Sequence, residues 1–185
     1  MTLIILILVI MFFMYIGKTD VLYVKSDVDN IEYMVRNLND KKTAANMLAN
    51  IKQNIFRLVQ HLSRSSYPEY KEYIKNLAMR IKNVDIKESS PYSQYTSYSV
   101  NKGEQLVFCL RSKVTNDLHE MNIIMFVAIH ELAHIACPEI GHTNLFKKIF
   151  IFLLKVANEV GIYKYVNYAL TPLEYCGLHI NETPL

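Results

Sequence analysis

Phe126-Val127-Ala128-Ile129-His130-Glu131-Leu132-Ala133-His134 is the stretch on which the reading of this chain turns. Residues four apart share one face of an α-helix, so His130 and His134 can bind one zinc ion. Glu131 points about 100° away from His130 around the helix axis, which makes it a poor ligand. Its carboxylate suits a general base instead. It can take a proton from a water that the metal activates and deliver it to a leaving amine. Met121 to Val127 and Ile135 make the rest of this helix apolar, so it should be buried and hold its ligands rigidly. The plain alternative is a core helix carrying two incidental histidines.

The flanks predict the limits of that helix. Asp117 and Glu120 have the spacing of a capping box, and Pro138 forbids continuation, which gives a helix over 117–137. Glu139-Ile140-Gly141 reads as a turn. Thr143 can then cap a helix from Asn144 to Val160, ended by Gly161. A catalytic zinc keeps three protein ligands and one open position. His142 is the first choice for the third ligand, because eight residues easily return the chain to the metal. Cys137, Glu139 and Glu159 are its rivals. His61 and His119 read as ordinary residues, and His179 is a weaker candidate for a transition-state donor.

Upstream, Val21 to Lys25 reads as a short strand or linker, and Asp27 to Leu38 as a short helix. Ala44, Met47, Leu48, Ile51, Ile55, Leu58 and Leu62 form a regular helical stripe, so Asp40 to Leu62 should pack on the core. Ser66-Tyr67-Pro68-Glu69 has the form of a capped helix start. Asp85 to Thr96 reads as a loop. Ser97 to Val100 and Gln105 to Arg111 read as a hairpin around Asn101-Lys102-Gly103-Glu104, its second strand apolar on both faces. The tail from Tyr163 shows no period and should be irregular. The expected fold is α+β, with helices around a short antiparallel sheet. The strand from Gln105 to Ser112 is the expected edge for an added substrate strand.

The 185 residues suffice for one domain, and 51% apolar content allows a core. A net charge of +3 with scattered Lys and Arg gives no case for nucleic acid as a partner. Cys109, Cys137 and Cys176 are few, odd in number and far apart, so all three are expected as free thiols in a reducing environment. Leu3 to Ile16 is an unbroken apolar run. At about 1.5 Å per residue it is short for a bilayer core. No basic residue precedes it and no small-x-small site follows it, which argues against a cleaved signal. Lys18 and Lys25 follow the run, which predicts a single-pass anchor over 1–18 with the rest of the chain cytosolic or virion-internal. The expected organisation is then this anchor, a linker with a short helix over 19–39, and a catalytic domain over 40–185.

The 126–134 stretch, with Gly141-His142-Thr143 and Phe146 downstream, resembles the WLM/Wss1-type and SprT-like group of small zincin metallopeptidases. The chain is more closely similar to membrane-anchored HExxH proteins of large DNA viruses of algae and protists. That likeness is carried also by residues 23–27, 35–38, 95–104 and 174–177. After Thr143 the group often has Pro-Glu-Phe-Trp, where this chain has Asn144-Leu145-Phe146-Lys147. The resemblance implies a zincin-like domain with His130, His134 and His142 on Zn2+ and Glu131 as base. It implies a zinc metallopeptidase acting on protein or peptide substrates beside a membrane. A second expectation is a non-catalytic structural protein of a virion or its inner membrane, stapled by the same zinc. A DNA–protein crosslink protease follows only by analogy, and the weak charge speaks against it.

Overall fold

The structure is a computed structural model that describes residues 20–182 and residue 184. The apolar run from Leu3 to Ile16, with the anchor expected there, lies outside the described residues. Among the described residues no helix is long and apolar enough to cross a membrane.

The described residues open with a hairpin of β1 (Val21–Lys25) and β2 (Glu32–Arg36), paired antiparallel from Val21↔Arg36 to Lys25↔Glu32. The short helix expected over 27–38 does not form. Ser26 N–H donates to the Ile31 carbonyl at 2.8 Å, and Asn30 takes φ 62°, so the chain reverses there. Tyr33 and Val35 then alternate into the core, as strand residues do.

Helix α1 (Lys41–Arg64) buries the expected stripe, with Ala44, Leu48, Ile51, Ile55 and Leu58 all fully enclosed. A one-turn 3-10 segment, Pro68–Tyr70, leads into α2 (Lys71–Arg80). No side chain caps either start, so the capping role expected of Ser66 is not realised.

A three-stranded sheet follows, made of β3 (Asp85–Glu88), β4 (Tyr98–Val100) and β5 (Gln105–Phe108) in the order β3-β5-β4. β3 runs parallel to β5 and β4 antiparallel to it, so the sheet is mixed rather than antiparallel. β5 is central and both its edges are paired, which removes it as the substrate edge. Residues 85–88, expected in a loop, are a strand because Glu88 has a buried partner. Arg111 Nε donates to Glu88 Oε1 at 2.8 Å, and Arg111 Nη1 to Asp40 Oδ2 at 2.6 Å. Glu88 Oε2 also accepts the Arg36 N–H at 2.7 Å, which ties β2 to β3. Burial pulls the Arg111 guanidinium down, and Asp40 and Glu88 more than restore it. Removing one partner of such a buried pair costs about 3–5 kcal/mol, because the other charge is left unpaired.

Helix α3 (Met121–Ala136) starts four residues later than its flank predicted. Leu118 forms a bridge with Arg111, and His119 N–H donates to the Leu110 carbonyl at 2.8 Å. Residues 117–119 therefore serve the end of the sheet, and Asp117 caps nothing on this helix. Helix α4 (Asn144–Glu159) begins as expected, with Thr143 Oγ1 accepting the Phe146 N–H at 3.2 Å. The tail is not irregular. It carries a hairpin of β6 (Leu173–Tyr175) and β7 (Leu178–Ile180), turning on Cys176 and Gly177, both at positive φ. That backbone is the type that two-residue hairpins need.

Cys109 and Cys176 form a disulfide, which corrects the expectation of three free thiols. Only Cys137 is free, and it is buried. The bridge joins residues 67 apart, and closing such a loop in the unfolded chain is worth about 4 kcal/mol. Thiol titration of the denatured protein without reductant should find one group per chain. A titre of three would show the bridge absent.

Candidate metal centre

Helix α3 is enclosed on nearly every side, since Ile123 to Ile129, Glu131 to Ala133, Ile135 and Ala136 are all buried. A helix apolar all round must lie inside the domain. Its end is fixed from two directions. Pro138 holds Cys137 in extended backbone, which stops the helix. Arg80 Nη1 then donates to the Ile135 carbonyl, and Lys102 Nζ to the Cys137 carbonyl at 2.9 Å. Two cations thus satisfy carbonyls at the negative end of the helix dipole. Lys102 reaches there because the β4–β5 turn lies hard against α3. At Gly103, with φ 115°, an added Cβ would stand 3.3 Å from Ile135 and from Arg80. Neither cation was recognisable from the sequence as part of the site.

His130 and His134 project from one face of α3, and the turn after Pro138 brings His142 to meet them. The three Nε2 atoms form a nearly equilateral triangle with sides of 3.1, 3.1 and 3.2 Å. Three neutral imidazoles cannot fill such a triangle with mutual hydrogen bonds, because each Nε2 either donates or accepts and never both, so at least one side pairs two donors or two acceptors. Zinc–nitrogen bonds of about 2.0–2.1 Å at tetrahedral angles place ligand nitrogens roughly 3.3 Å apart. The donor set therefore fits one such ion, and all three groups can hold it. Phe146 of α4 backs the triangle. Its ring stacks on His134 at 4.2 Å and lies 5.0 and 4.9 Å from His130 and His142.

Burial, with smaller contributions from neighbouring histidines, pushes His130 down to about 3. Burial acts first on His134 too, with His142 and Lys102 behind it, and takes it down to about 4. Both rings are neutral at physiological pH, as metal ligands must be. Glu131 is 7% exposed, and burial raises its carboxyl to about 7, while a hydrogen bond from the Ser99 main chain on β4 acts the other way. A carboxyl poised near neutrality is suited both to take and to return a proton.

The other candidates do not join the cluster. Among the described residues the grouping comprises His130, His134 and His142 alone. Cys137 is buried among core residues, and Glu139 and Glu159 are exposed. His179 is exposed on β7, across the hairpin from Glu174. His119 is more than an ordinary residue. Its Nε2 accepts the Cys176 N–H at 3.2 Å and so holds the β6–β7 turn. Two clefts lie elsewhere, one lined by Arg64, Tyr67 and Lys71, the other by Lys52, Phe56 and Arg57. Neither contains any of the three histidines.

No family model matches the chain. It is 46% identical over 167 residues to an uncharacterized protein of Acanthamoeba polyphaga mimivirus, covering 89% of this chain and 85% of that one. It is 26% identical over 148 residues to an uncharacterized protein of Invertebrate iridescent virus 6, covering 75% and 79%. Among solved structures it is similar to Wss1 from Saccharomyces cerevisiae, with a TM-score of 0.50 and 17% identity over 66% of this chain and 83% of that one. A mutant of the same protein gives 0.51 and 16%. That likeness extends to the fold, and it agrees with a mixed α+β architecture, four α-helices and short sheets among the described residues. By its identity to the mimivirus protein, the chain belongs to that protein's family in large DNA viruses.

Proposed function

We propose that the chain is a zinc-dependent metallopeptidase that cleaves protein or peptide substrates beside a membrane. The observation that carries this reading is the triangle of three imidazole nitrogens with Glu131 on the same buried helix. Three protein donors rather than four leave a coordination position open, the pattern of catalytic rather than structural zinc.

His130, His134 and His142 would hold the ion. When bound, it supplies Lewis-acid activation of a water and of the scissile carbonyl. Glu131 takes the proton of the attacking water and passes it to the leaving amine. Phe146 and the buried wall of α3 fix the imidazoles and keep bulk water from their inner sides. β4 takes over the role first expected of β5. It lies at the edge of the sheet, pairs among the described strands with β5 alone, and its Ser99 faces Glu131. An extended substrate can add to that edge through main-chain hydrogen bonds.

The anchor over 1–18 remains the basis for placing the domain at a membrane. The Cys109–Cys176 bridge favours the interior of a virion over the reducing cytosol, where such bonds rarely persist. The net charge of +3 gives no support for a nucleic-acid partner. Terminal sequencing of the protein made in full should return Met1 or Thr2. A start near residue 20 would remove the anchor.

Purified protein should contain one zinc per chain by elemental analysis. His130→Ala and His134→Ala should lose it together with stability, and His142→Ala should bind it more weakly, while Glu159→Ala keeps it. A folded wild-type protein that binds no zinc would end the metal reading.

Glu131→Gln separates an enzyme from a zinc-stapled structural protein. Glutamine keeps the size and loses the base. Zinc content and melting temperature should hold, while peptide hydrolysis falls on the order of 10² to 10⁴-fold. If wild-type protein cleaves no protein or peptide pool, the catalytic reading fails and the ion serves the fold alone.

A further inference from the structure

The stretches 95–104 and 174–177, which the viral resemblance marks without giving them chemistry, meet beside Glu131. Tyr175 on β6 is 3% exposed, and its hydroxyl lies 2.7 Å from Ser97 Oγ. The same Ser97 oxygen accepts the Cys109 N–H at 3.0 Å. One serine hydroxyl thus joins the lead-in to β4, the end of β5 and the C-terminal hairpin. Two residues further on, Ser99 lies on β4, which packs against the helix that carries Glu131, and its main chain acts as a hydrogen-bond partner that lowers the Glu131 carboxyl. Burial pushes the Tyr175 phenol well above its ordinary value, and the Glu131 charge acts in the same direction, so the two groups are electrostatic neighbours.

Tyr175 is itself held from behind. The next residue, Cys176, is bridged to Cys109 and donates its N–H to His119. The His119 ring lies 5.0 Å from the Tyr175 ring. A buried tyrosine usually finds some partner for its hydroxyl, and a packing role is the plain alternative. Two facts point further. The partner is a side chain on the segment that feeds β4, not a group of its own hairpin. β4 is three residues long and pairs only from Tyr98↔Val107 to Val100↔Gln105, so its own ladder is a weak constraint.

We propose that Tyr175 is a positioning residue for Glu131: its hydroxyl fixes Ser97, Ser97 fixes β4, and β4 presents the Ser99 N–H to the carboxylate. The proposal rests on Glu131 being the base. It assigns the C-terminal hairpin a place in the catalytic apparatus, although none of its residues is near in sequence to the metal ligands.

The test compares full-length wild type with Tyr175→Phe, Ser97→Ala, Ser97→Thr and the Tyr175→Phe/Ser97→Ala double variant. Zinc content, melting temperature, amide hydrogen exchange at Ser99 and kinetics on one fluorogenic peptide are measured on each. Tyr175→Phe should keep its zinc and melt within a few degrees of wild type. Exchange at Ser99 should quicken, and kcat should fall about 10- to 100-fold with KM nearly unchanged, the usual scale for groups that orient a site from behind. The double variant should be no worse than the poorer single one, and Ser97→Thr, which keeps the hydroxyl, should retain most of the rate. Wild-type exchange at Ser99 in Tyr175→Phe, or strictly additive losses in the double variant, would overturn the proposal and leave the peptidase reading intact. If wild type cleaves no peptide, the peptidase reading and the positioning role fail together, and Ser99 exchange reports only whether the hydroxyl pair braces β4. Should Tyr175→Phe fail to fold, Ser97→Ala answers the same question from the other side of the hydrogen bond.

Discussion

Taking a carboxyl group and two imidazoles out of water is the constraint to which the rest of this structure answers. A buried charge without a partner is costly, and ionisable groups respond by becoming neutral. His130 and His134 do so, and the Glu131 carboxyl rises to about 7. The apolar residues that line α3 create this pressure, and they also make the helix rigid. Its polar end cannot share that environment. Arg80, Lys102 and the tight approach at Gly103 deal with it by bringing donors to the last carbonyls. Packing, electrostatics and proposed chemistry therefore have one origin in the composition of 121–136.

The second polar element inside the domain is Arg111 with Glu88 and Asp40, and it works by a different rule. Here the charges stay, because each has a partner at 2.6 to 2.8 Å. The Arg111 hydrogen bond holds the Asp40 carboxyl below the ordinary carboxylate range. Asp40 therefore neutralises Arg111 rather than capping α1 with its side chain. The N-terminus of α1, the parallel strand β3 and the segment after β5 are pinned at one point. The β1–β2 hairpin joins them through the Arg36 N–H on Glu88.

The sequence was most legible where structure is local. His130 and His134 share a face by helical period alone, and Pro138, Gly141 and Thr143 fix the short return that brings His142 to them. The stripe of α1 and the cap of α4 are legible for the same reason. Partners distant in sequence were not. Ile31, Met34, Val35 and Leu38 fit a helical spacing about as well as Tyr33 and Val35 fit a strand, and only pairing with β1 decides between them. Residues 85–88 look like a loop until Arg111, 23 residues beyond Glu88, supplies a buried cation. The separation of Cys109 from Cys176 carries no information about their geometry. The expectation of free thiols failed for that reason.

The same bridge has a topological consequence for the proposed peptidase activity. Residues 109 and 176 bracket His130, Glu131, His134 and His142, so the whole site sits within one covalent ring. The exposed connections inside that ring, around residues 138–142 and 169–173, are where a nick is easiest. A single cut there opens the ring but releases no fragment. The ligands on either side stay tethered, and the severed halves can remain docked through the α3–α4 packing. The proposed activity would thereby leave the molecule tethered after a cut to its own chain.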